Sequence, residues 1–205
     1  MKPAHAVLVA IALFAAGFAG AYQLLNRQVA AVSEGAPLIG GPFSLVDGGG
    51  KRVTDRDFHG KLMLVFFGYT HCPDVCPTEL QNMADVLDRL GPDAEKTAAI
   101  FISVDPKRDT PAAVASYVGN FSARIMGLTG SQSEIASAAK AYRVYSRKAG
   151  DDAEGGGYTV DHSAFLYLMD EDGRYLTHFS FNTAPNAIVE AIRKHLAADS
   201  AYKPA

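Results

Sequence analysis

The sequence has only two cysteines among its 205 residues, and it has no block of basic residues. Two cysteines are too few for a scaffold held together by disulfides, so they form a single disulfide, a metal site or a reactive pair. Lysine and arginine (19) nearly balance aspartate and glutamate (22), and the formal net charge of −3 gives no indication of nucleic-acid binding. With 20% charged and 48% hydrophobic residues, the chain is predicted to fold as one globular domain with appendages, not to be disordered.

The amino-terminal segment has no formally charged side chain over residues 3–26. The apolar run over residues 6–25 is long enough to predict a transmembrane anchor. Lys2 and the amino terminus precede it, which favours an orientation with residues 1–5 in the cytoplasm. The alternative is a cleaved signal peptide, because Ala19-Gly20-Ala21 resembles a cleavage site, but the apolar run continues past that site. We therefore expect a single-pass protein of the bacterial inner membrane, with its soluble domain on the periplasmic face.

Beyond this span, residues 26–38 are predicted to be a tether, residues 39–198 a folded domain, and residues 199–205 a tail. Strand–helix–strand units imply parallel pairing, and a late hairpin adds antiparallel strands. This element order predicts an α/β, thioredoxin-like fold, with a central mixed sheet flanked by helices and an added N-terminal β-hairpin. The predicted elements are a hairpin (43–46 and 52–54), a strand (61–67), a helix (77–90), a strand (98–104), helices (110–118 and 131–142), strands (165–169 and 175–181) and a last helix (185–197).

Both cysteines lie in Gly68–Leu80, GYTHCPDVCPTEL, between a buried strand and a helix. A proline follows each cysteine and disfavours the helical conformation there, while Pro77 suits the first helical position. Cys76 is therefore predicted to be the N-cap, with a pKa lowered by the helix dipole. The turn CPDVC can close to a disulfide or hold a metal. A functional pair is favoured, because a disulfide around so short a loop contributes only about 2 kcal/mol.

Other candidate ligands are predicted to meet this turn at one edge of the sheet. Cys72 and Cys76 follow one strand, Asp105 follows the next parallel strand, and His162 precedes an antiparallel strand that begins at the same edge. Two thiolates and one imidazole form a soft, three-coordinate set that suits copper and that zinc can also use. The pattern predicts a metal site at Cys72, Cys76 and His162.

Three carboxylates are candidates for the second sphere of that site. Asp161 and Asp105 could orient the histidine. Asp74 lies between the two thiols, although with Pro73 it also makes a good turn pair. His71 is next to Cys72 in sequence, but it is predicted to point away from the site and not to be a ligand.

Three segments resemble the Sco/SenC family of copper-binding proteins. They are Gly68–Leu80, Ser103–Pro111 (SVDPKRDTP) and Val160–Tyr175 (VDHSAFLYLMDEDGRY), in the family's order. The resemblance covers about Pro42–Leu196. It implies a thioredoxin-like domain tethered by one transmembrane helix, and members serve in assembly of the binuclear copper centre of cytochrome c oxidase. The implied partner is the copper-site subunit of that oxidase or another copper protein.

The resemblance also implies the ligand set. The two cysteines of the CxxxC motif and the histidine of the DHS motif hold one copper ion, Cu(I) or Cu(II), per domain, and they fall on Cys72, Cys76 and His162. The loop Ala149–Gly157 (AGDDAEGGG) is acidic and glycine-rich, which suggests a movable histidine.

Two functions remain open from the sequence. The favoured one is a metal-binding assembly factor; the alternative is a thiol–disulfide oxidoreductase in which Cys72 and Cys76 form a redox pair. The CxxxC spacing, and the absence of a proline just before the Phe165 strand, disfavour a general disulfide exchanger. A third reading, a peroxiredoxin-like peroxidase, requires a cysteine activated by a nearby arginine.

Overall fold

The computed structural model describes residues 39–150 and 157–202, which fold around a five-stranded mixed sheet. Two further two-stranded sheets lie outside it. In chain order the strands are β1 (Ser44–Val46), β2 (Arg52–Thr54), β3 (Leu62–Gly68), β4 (Thr97–Ser103), β5 (Ile125–Leu128), β6 (Ser146–Ala149), β7 (Thr159–His162), β8 (Leu166–Met169) and β9 (Tyr175–Phe179), and the α-helices are α1 (Val75–Leu90), α2 (Pro111–Gly119), α3 (Gln132–Ala141) and α4 (Pro185–Tyr202).

The central sheet has the strand order β5-β4-β3-β8-β9. All seven residues of β3, LMLVFFG, are buried, as expected for a strand covered on both faces. β3 pairs in parallel with β4, so that Gly68 lies beside Ser103, and it pairs antiparallel with β8 on its other side. The carboxyl ends of β3 and β4 and the beginning of β8 therefore share one edge. The α/β architecture with a central mixed sheet agrees with the prediction.

The helix boundaries follow local sequence signals in α2 and α3. Thr110 precedes α2, its hydroxyl accepts the Ala113 N–H, and Pro111 occupies the first turn. Ser131 and Glu134 form the predicted capping box at the start of α3. α4 ends later than predicted: it continues to Tyr202, whereas the sequence predicted an end at residue 197.

A hairpin formed by β6 and β7 was not among the predicted elements. The two strands pair antiparallel, with Ser146 opposite His162, in a sheet separate from the central one. The sequence of β6, SRKA, has no alternating apolar pattern, so it carries no strand signal. In the predicted loop Ala149–Gly157, the first residue belongs to β6, and residues 151–156 lie outside the described part of the chain.

The membrane prediction concerns residues 6–25, which lie outside the described residues. Within residues 39–150 and 157–202, no helix combines the length and apolar character needed to cross a bilayer.

Candidate metal centre

The fold brings together the two cysteines and one histidine at the edge shared by β3 and β8. One ligand atom from each of Cys72, Cys76 and His162 lies within 4.8 Å of the other two. The Cys76 Sγ atom is 3.4 Å from Nε2 of His162. Cys76 is fully buried, whereas the other two residues are partly exposed. Both cysteines are free thiols.

Gly68, the last residue of β3, permits the close approach of the Cys76 sulfur. A Cβ atom at this position would lie 2.7 Å from Cys76 Sγ and 2.8 Å from the Phe101 ring. Real side chains do not approach so closely, so any larger residue would displace the sulfur or the ring. Sequence reasoning did not identify this role.

The start of α1 differs from the prediction. Cys76 is not the N-cap: α1 begins at Val75, Asp74 is the N-cap, and the Thr78 N–H donates to the Asp74 carbonyl at 3.2 Å. The Asp74 side chain forms no capping hydrogen bond. Instead the Cys72 sulfur accepts the Cys76 N–H at 3.4 Å. Pro77 is tolerated in the first turn, because N–H groups there have no partner within the helix.

The position of the Cys72 sulfur in front of α1 reverses the expected order of the two thiol pKa values. Hydrogen bonds from the Cys76 thiol, from His162 and from the Asp74 and Cys76 N–H groups lower the pKa of Cys72 to about 3. The hydrogen bond to Cys72, together with burial, raises the pKa of Cys76 above its ordinary value. The prediction of a lowered pKa for Cys76 is therefore wrong, because the sulfur that faces the end of the helix belongs to Cys72.

The low pKa of Cys72 predicts an unusual pH profile for alkylation of the reduced, metal-free protein. Iodoacetamide reacts with the thiolate, so the Cys72 rate should stay nearly constant between about pH 8 and pH 5 and decline only as the pH approaches 3. An ordinary thiol would lose about tenfold per pH unit over that range. Mass spectrometry of samples quenched at several pH values measures both cysteines separately. A steep decline for Cys72 between pH 8 and pH 6 would contradict the assignment.

His162 is the last residue of β7, and its ring is held from both sides. Nδ1 lies 3.0 Å from the Ser163 carbonyl oxygen. Because a carbonyl can only accept, Nδ1 carries a proton, so Nε2 is the nitrogen that faces the cysteine sulfurs and that keeps a lone pair in the neutral ring. The rings of Tyr69 and Phe66 pack edge-on against the imidazole, with centroid distances of 5.8 and 6.2 Å. The ring is thus preset to offer Nε2 as a metal ligand.

Among the described residues, none of the three predicted second-sphere carboxylates forms a hydrogen bond to the His162 ring, whose partners include Cys76 Sγ and the Ser163 carbonyl. Asp105 accepts from Arg108 Nε at 2.5 Å and from the Tyr158 hydroxyl at 2.7 Å. Asp161 is exposed and lies 3.7 Å from Arg147. Asp74 is exposed at the start of α1. The group that contacts Nδ1 of His162 is a backbone carbonyl and not one of these side chains.

A different carboxylate, Asp109, supports the cysteine loop and was missed from the sequence. It is 1% exposed. It accepts hydrogen bonds from the Thr70 N–H (3.0 Å), the Thr70 hydroxyl (2.6 Å) and the Ser103 hydroxyl (2.5 Å). Two sequence signals could have indicated it: its place just after β4, at the edge where β3 also ends, and its position within the segment Ser103–Pro111.

The donor set fits a soft metal ion. Two sulfurs and one imidazole nitrogen are the ligands that Cu(I) prefers, and Zn²⁺ also accepts them. Cys72 already favours the thiolate. Binding at Cys76 would release a proton, because only the thiolate is a metal ligand.

Comparison with known proteins identifies the family. The family model described as SCO1/SenC matches residues 31–197. The chain belongs to the SCO1/SenC family. It is 44% identical over 167 residues to the human mitochondrial SCO1 homolog, a match that covers 79% of this chain and 54% of the human protein. The chain therefore spans about half the length of that relative.

Solved structures of SCO1/SenC proteins have the same fold. The Bradyrhizobium japonicum ScoI structure with copper bound is 48% identical, covers 77% of this chain and 99% of its own, and has a TM-score of 0.71. BsSco, described as a member of the Sco family of cytochrome c oxidase assembly proteins with a disulfide switch, is 25% identical, covers 79% and 95% of the two chains, and has a TM-score of 0.62. The thioredoxin-like prediction agrees with this family.

Proposed function

We propose that this protein binds copper and acts in assembly of the binuclear copper centre of cytochrome c oxidase. Cys72, Cys76 and His162 hold one copper ion as cargo. The observation that carries the proposal is the convergence of three soft donor atoms within 4.8 Å, at a site formed by two distant parts of the chain. The copper-bound and oxidase-assembly relatives support the choice of metal and process.

The two sulfurs are suited to different steps of holding and releasing the ion. Cys72 is partly exposed and favours the thiolate, so it can meet an incoming ion first. Cys76 is buried and becomes a ligand only when its proton leaves. Two thiolates neutralise Cu(I) or Cu(II) better than neutral ligands would, and the histidine completes a three-coordinate site.

The proposal includes a membrane anchor at residues 6–25, with the copper domain on the periplasmic side. Its support is the uncharged apolar sequence of that segment. Carbonate extraction of membranes from cells that express the full chain tests this part. A retained anchor keeps the protein in the membrane pellet at its full mass, whereas a cleaved signal releases a shorter protein.

A second candidate, thiol–disulfide reduction of a partner copper site, is favoured by the asymmetry of the thiols. The Cys72 thiolate attacks one sulfur of a partner disulfide and the other sulfur leaves as a thiolate. Deprotonated Cys76 then attacks Cys72 in the mixed disulfide. The second partner thiolate leaves, Cys72 and Cys76 are oxidised to a disulfide, and the partner gains two electrons.

A transfer experiment separates the two functions. The acceptor is the purified soluble copper domain of the oxidase subunit, prepared either as a dithiol or as a disulfide. We expect the copper-loaded chain to generate the visible absorption of a copper–thiolate centre in the dithiol acceptor. No transfer, combined with reduction of the disulfide acceptor by the metal-free chain, would favour the second candidate and contradict the first.

A further inference from the structure

We propose that His71 is an outward-facing transfer ligand, through which copper passes between the Cys72–Cys76–His162 site and a partner protein. The proposal rests on the proposed copper function and extends it to a residue outside the three-donor group. Its basis is a hydrogen-bonded relay, His71–Thr70–Asp109, that fixes which nitrogen of the exposed imidazole carries a free lone pair.

The relay has a defined direction. The Thr70 hydroxyl donates its single proton to Asp109 Oδ1 at 2.6 Å. The same hydroxyl oxygen lies 2.9 Å from Nδ1 of His71. With its proton already committed, this oxygen can only accept, so Nδ1 of His71 must carry a proton and donate. In the neutral ring, Nε2 then keeps its lone pair, which makes it the metal-binding nitrogen.

The far end of the relay is buried and firmly held. The Asp109 side chain is 0% exposed, although the His71 side chain is 53% exposed. Asp109 also accepts from the Ser103 hydroxyl and the Thr70 N–H. Its carbonyl accepts from the Thr129 hydroxyl at 3.0 Å. Because residues at the carboxyl ends of β4 and β5 hold it, Asp109 provides a fixed reference for the orientation of the imidazole.

His71 lies where a transfer ligand is needed. His71 directly precedes the partly exposed Cys72, in a tight turn that is closed by the Cys72 N–H, which donates to the Tyr69 carbonyl at 3.3 Å. Exposure decreases from His71 to Cys72 to the fully buried Cys76. Soft donors of decreasing exposure offer the ion successive ligands between solvent and the buried site.

The transfer step is a ligand exchange. A bond forms between copper and Nε2 of His71 while the bond to Nε2 of His162 breaks, and Cys72 remains bound. The incoming nitrogen has no proton to lose, and the oxidation state of copper does not change. As a ligand of the partner binds the ion, the Cys76 sulfur leaves and regains its proton from solvent. The Cys72 sulfur leaves last, while His71 still holds the ion.

The kinetic test compares His71→Ala with His59→Ala, a matched control at an exposed histidine that precedes the start of β3 and lies beside Gly173. The full-length, Cu(I)-loaded protein is mixed with excess bicinchoninate, and capture of copper is followed by stopped-flow absorbance. We expect His71→Ala to slow capture about tenfold, equal to about 1.4 kcal/mol in the barrier. The equilibrium affinity should change less than about threefold. His59→Ala should match the wild-type rate.

The relay itself is tested without copper. At about pH 8, imidazole ¹⁵N shifts in the metal-free protein should report the Nδ1–H form for His71. Thr70→Val keeps the side-chain shape and removes the hydroxyl, so it should lose this preference and slow copper capture; Thr70→Ser should retain both. An Nε2–H imidazole in the wild type, or a His71→Ala protein that releases copper at the wild-type rate, would overturn the proposal. If the wild-type protein binds no copper, the proposed function fails as well. The affinity measured for the wild type separates that outcome from a failure of the His71 proposal alone.

Discussion

Replacement of Cys76 by serine is expected to abolish copper binding in a protein that still folds. Cys76 lies in the first turn of α1 and is fully buried against the end of β3, where its sulfur would lie only 2.7 Å from a Cβ atom at Gly68. A serine hydroxyl is a hard donor that does not ionise near neutral pH, so the site would lose one of its two thiolate ligands. We expect the Cu(I) dissociation constant to rise at least about 1,000-fold, or about 4 kcal/mol.

The structural cost of this substitution should be small by comparison. Serine is slightly smaller than cysteine and leaves a buried hydroxyl, so the free energy of unfolding should fall by about 1–3 kcal/mol. Met83→Leu is a matched control, because it removes another fully buried sulfur from the same helix without touching the site. Competition with bicinchoninate measures affinity, and circular dichroism monitors the fold. Binding by Cys76→Ser within tenfold of wild type would contradict the ligand assignment.

Replacement of His162 by alanine is expected to separate copper binding from thiol chemistry. The imidazole contributes a ligand atom 3.4 Å from Cys76 Sγ, and its Nδ1 is held by the Ser163 carbonyl. Its loss leaves two sulfurs, and we expect affinity for copper to fall at least about 100-fold, or about 2.7 kcal/mol. His178→Ala, which removes a histidine from β9, should leave the affinity unchanged.

The same variant should change the reduction potential of the Cys72–Cys76 pair only modestly. His162 helps to lower the pKa of Cys72, so its loss makes the reduced form less stable. One lost charge-assisted hydrogen bond, about 1.4 kcal/mol, corresponds to a potential about 30 mV more negative. Equilibration with glutathione measures this value. If His162→Ala kept the copper affinity of the wild type, His162 would not be a copper ligand. If the variant also shifted the reduction potential by several times 30 mV, His162 would serve the redox pair instead.

The site was predictable from the sequence because it depends on strand topology. The unbroken apolar run of β3 identified a central strand, and parallel pairing with β4 placed their carboxyl ends together. The antiparallel β8 then had to begin at the same edge, which brought His162 to the cysteines. Short capping motifs such as Ser131 with Glu134 were also readable, because they depend only on neighbouring residues.

The details that escaped prediction depend on contacts between distant residues or on weak local signals. A proline after Cys76 suggested that the helix begins there, but α1 begins earlier because the Cys72 sulfur accepts an N–H of its first turn. The thiol with the lowered pKa was consequently misassigned. The polar strand β6 is defined by its partner β7 and not by its own pattern. Asp109 is unremarkable in sequence and acquires its role only through Thr70, 39 residues away.

X-ray absorption spectroscopy of the copper-loaded, full-length protein tests the central claim most directly. One equivalent of Cu(I) is added to the reduced chain, and the ligands around the ion are counted for the wild type and for His162→Ala. The predicted result is one copper per chain, bound by two sulfurs and one nitrogen, with the nitrogen lost in the variant. A copper environment without nitrogen in the wild type, or a nitrogen that persists in His162→Ala, would contradict the assignment of Cys72, Cys76 and His162 as the copper site.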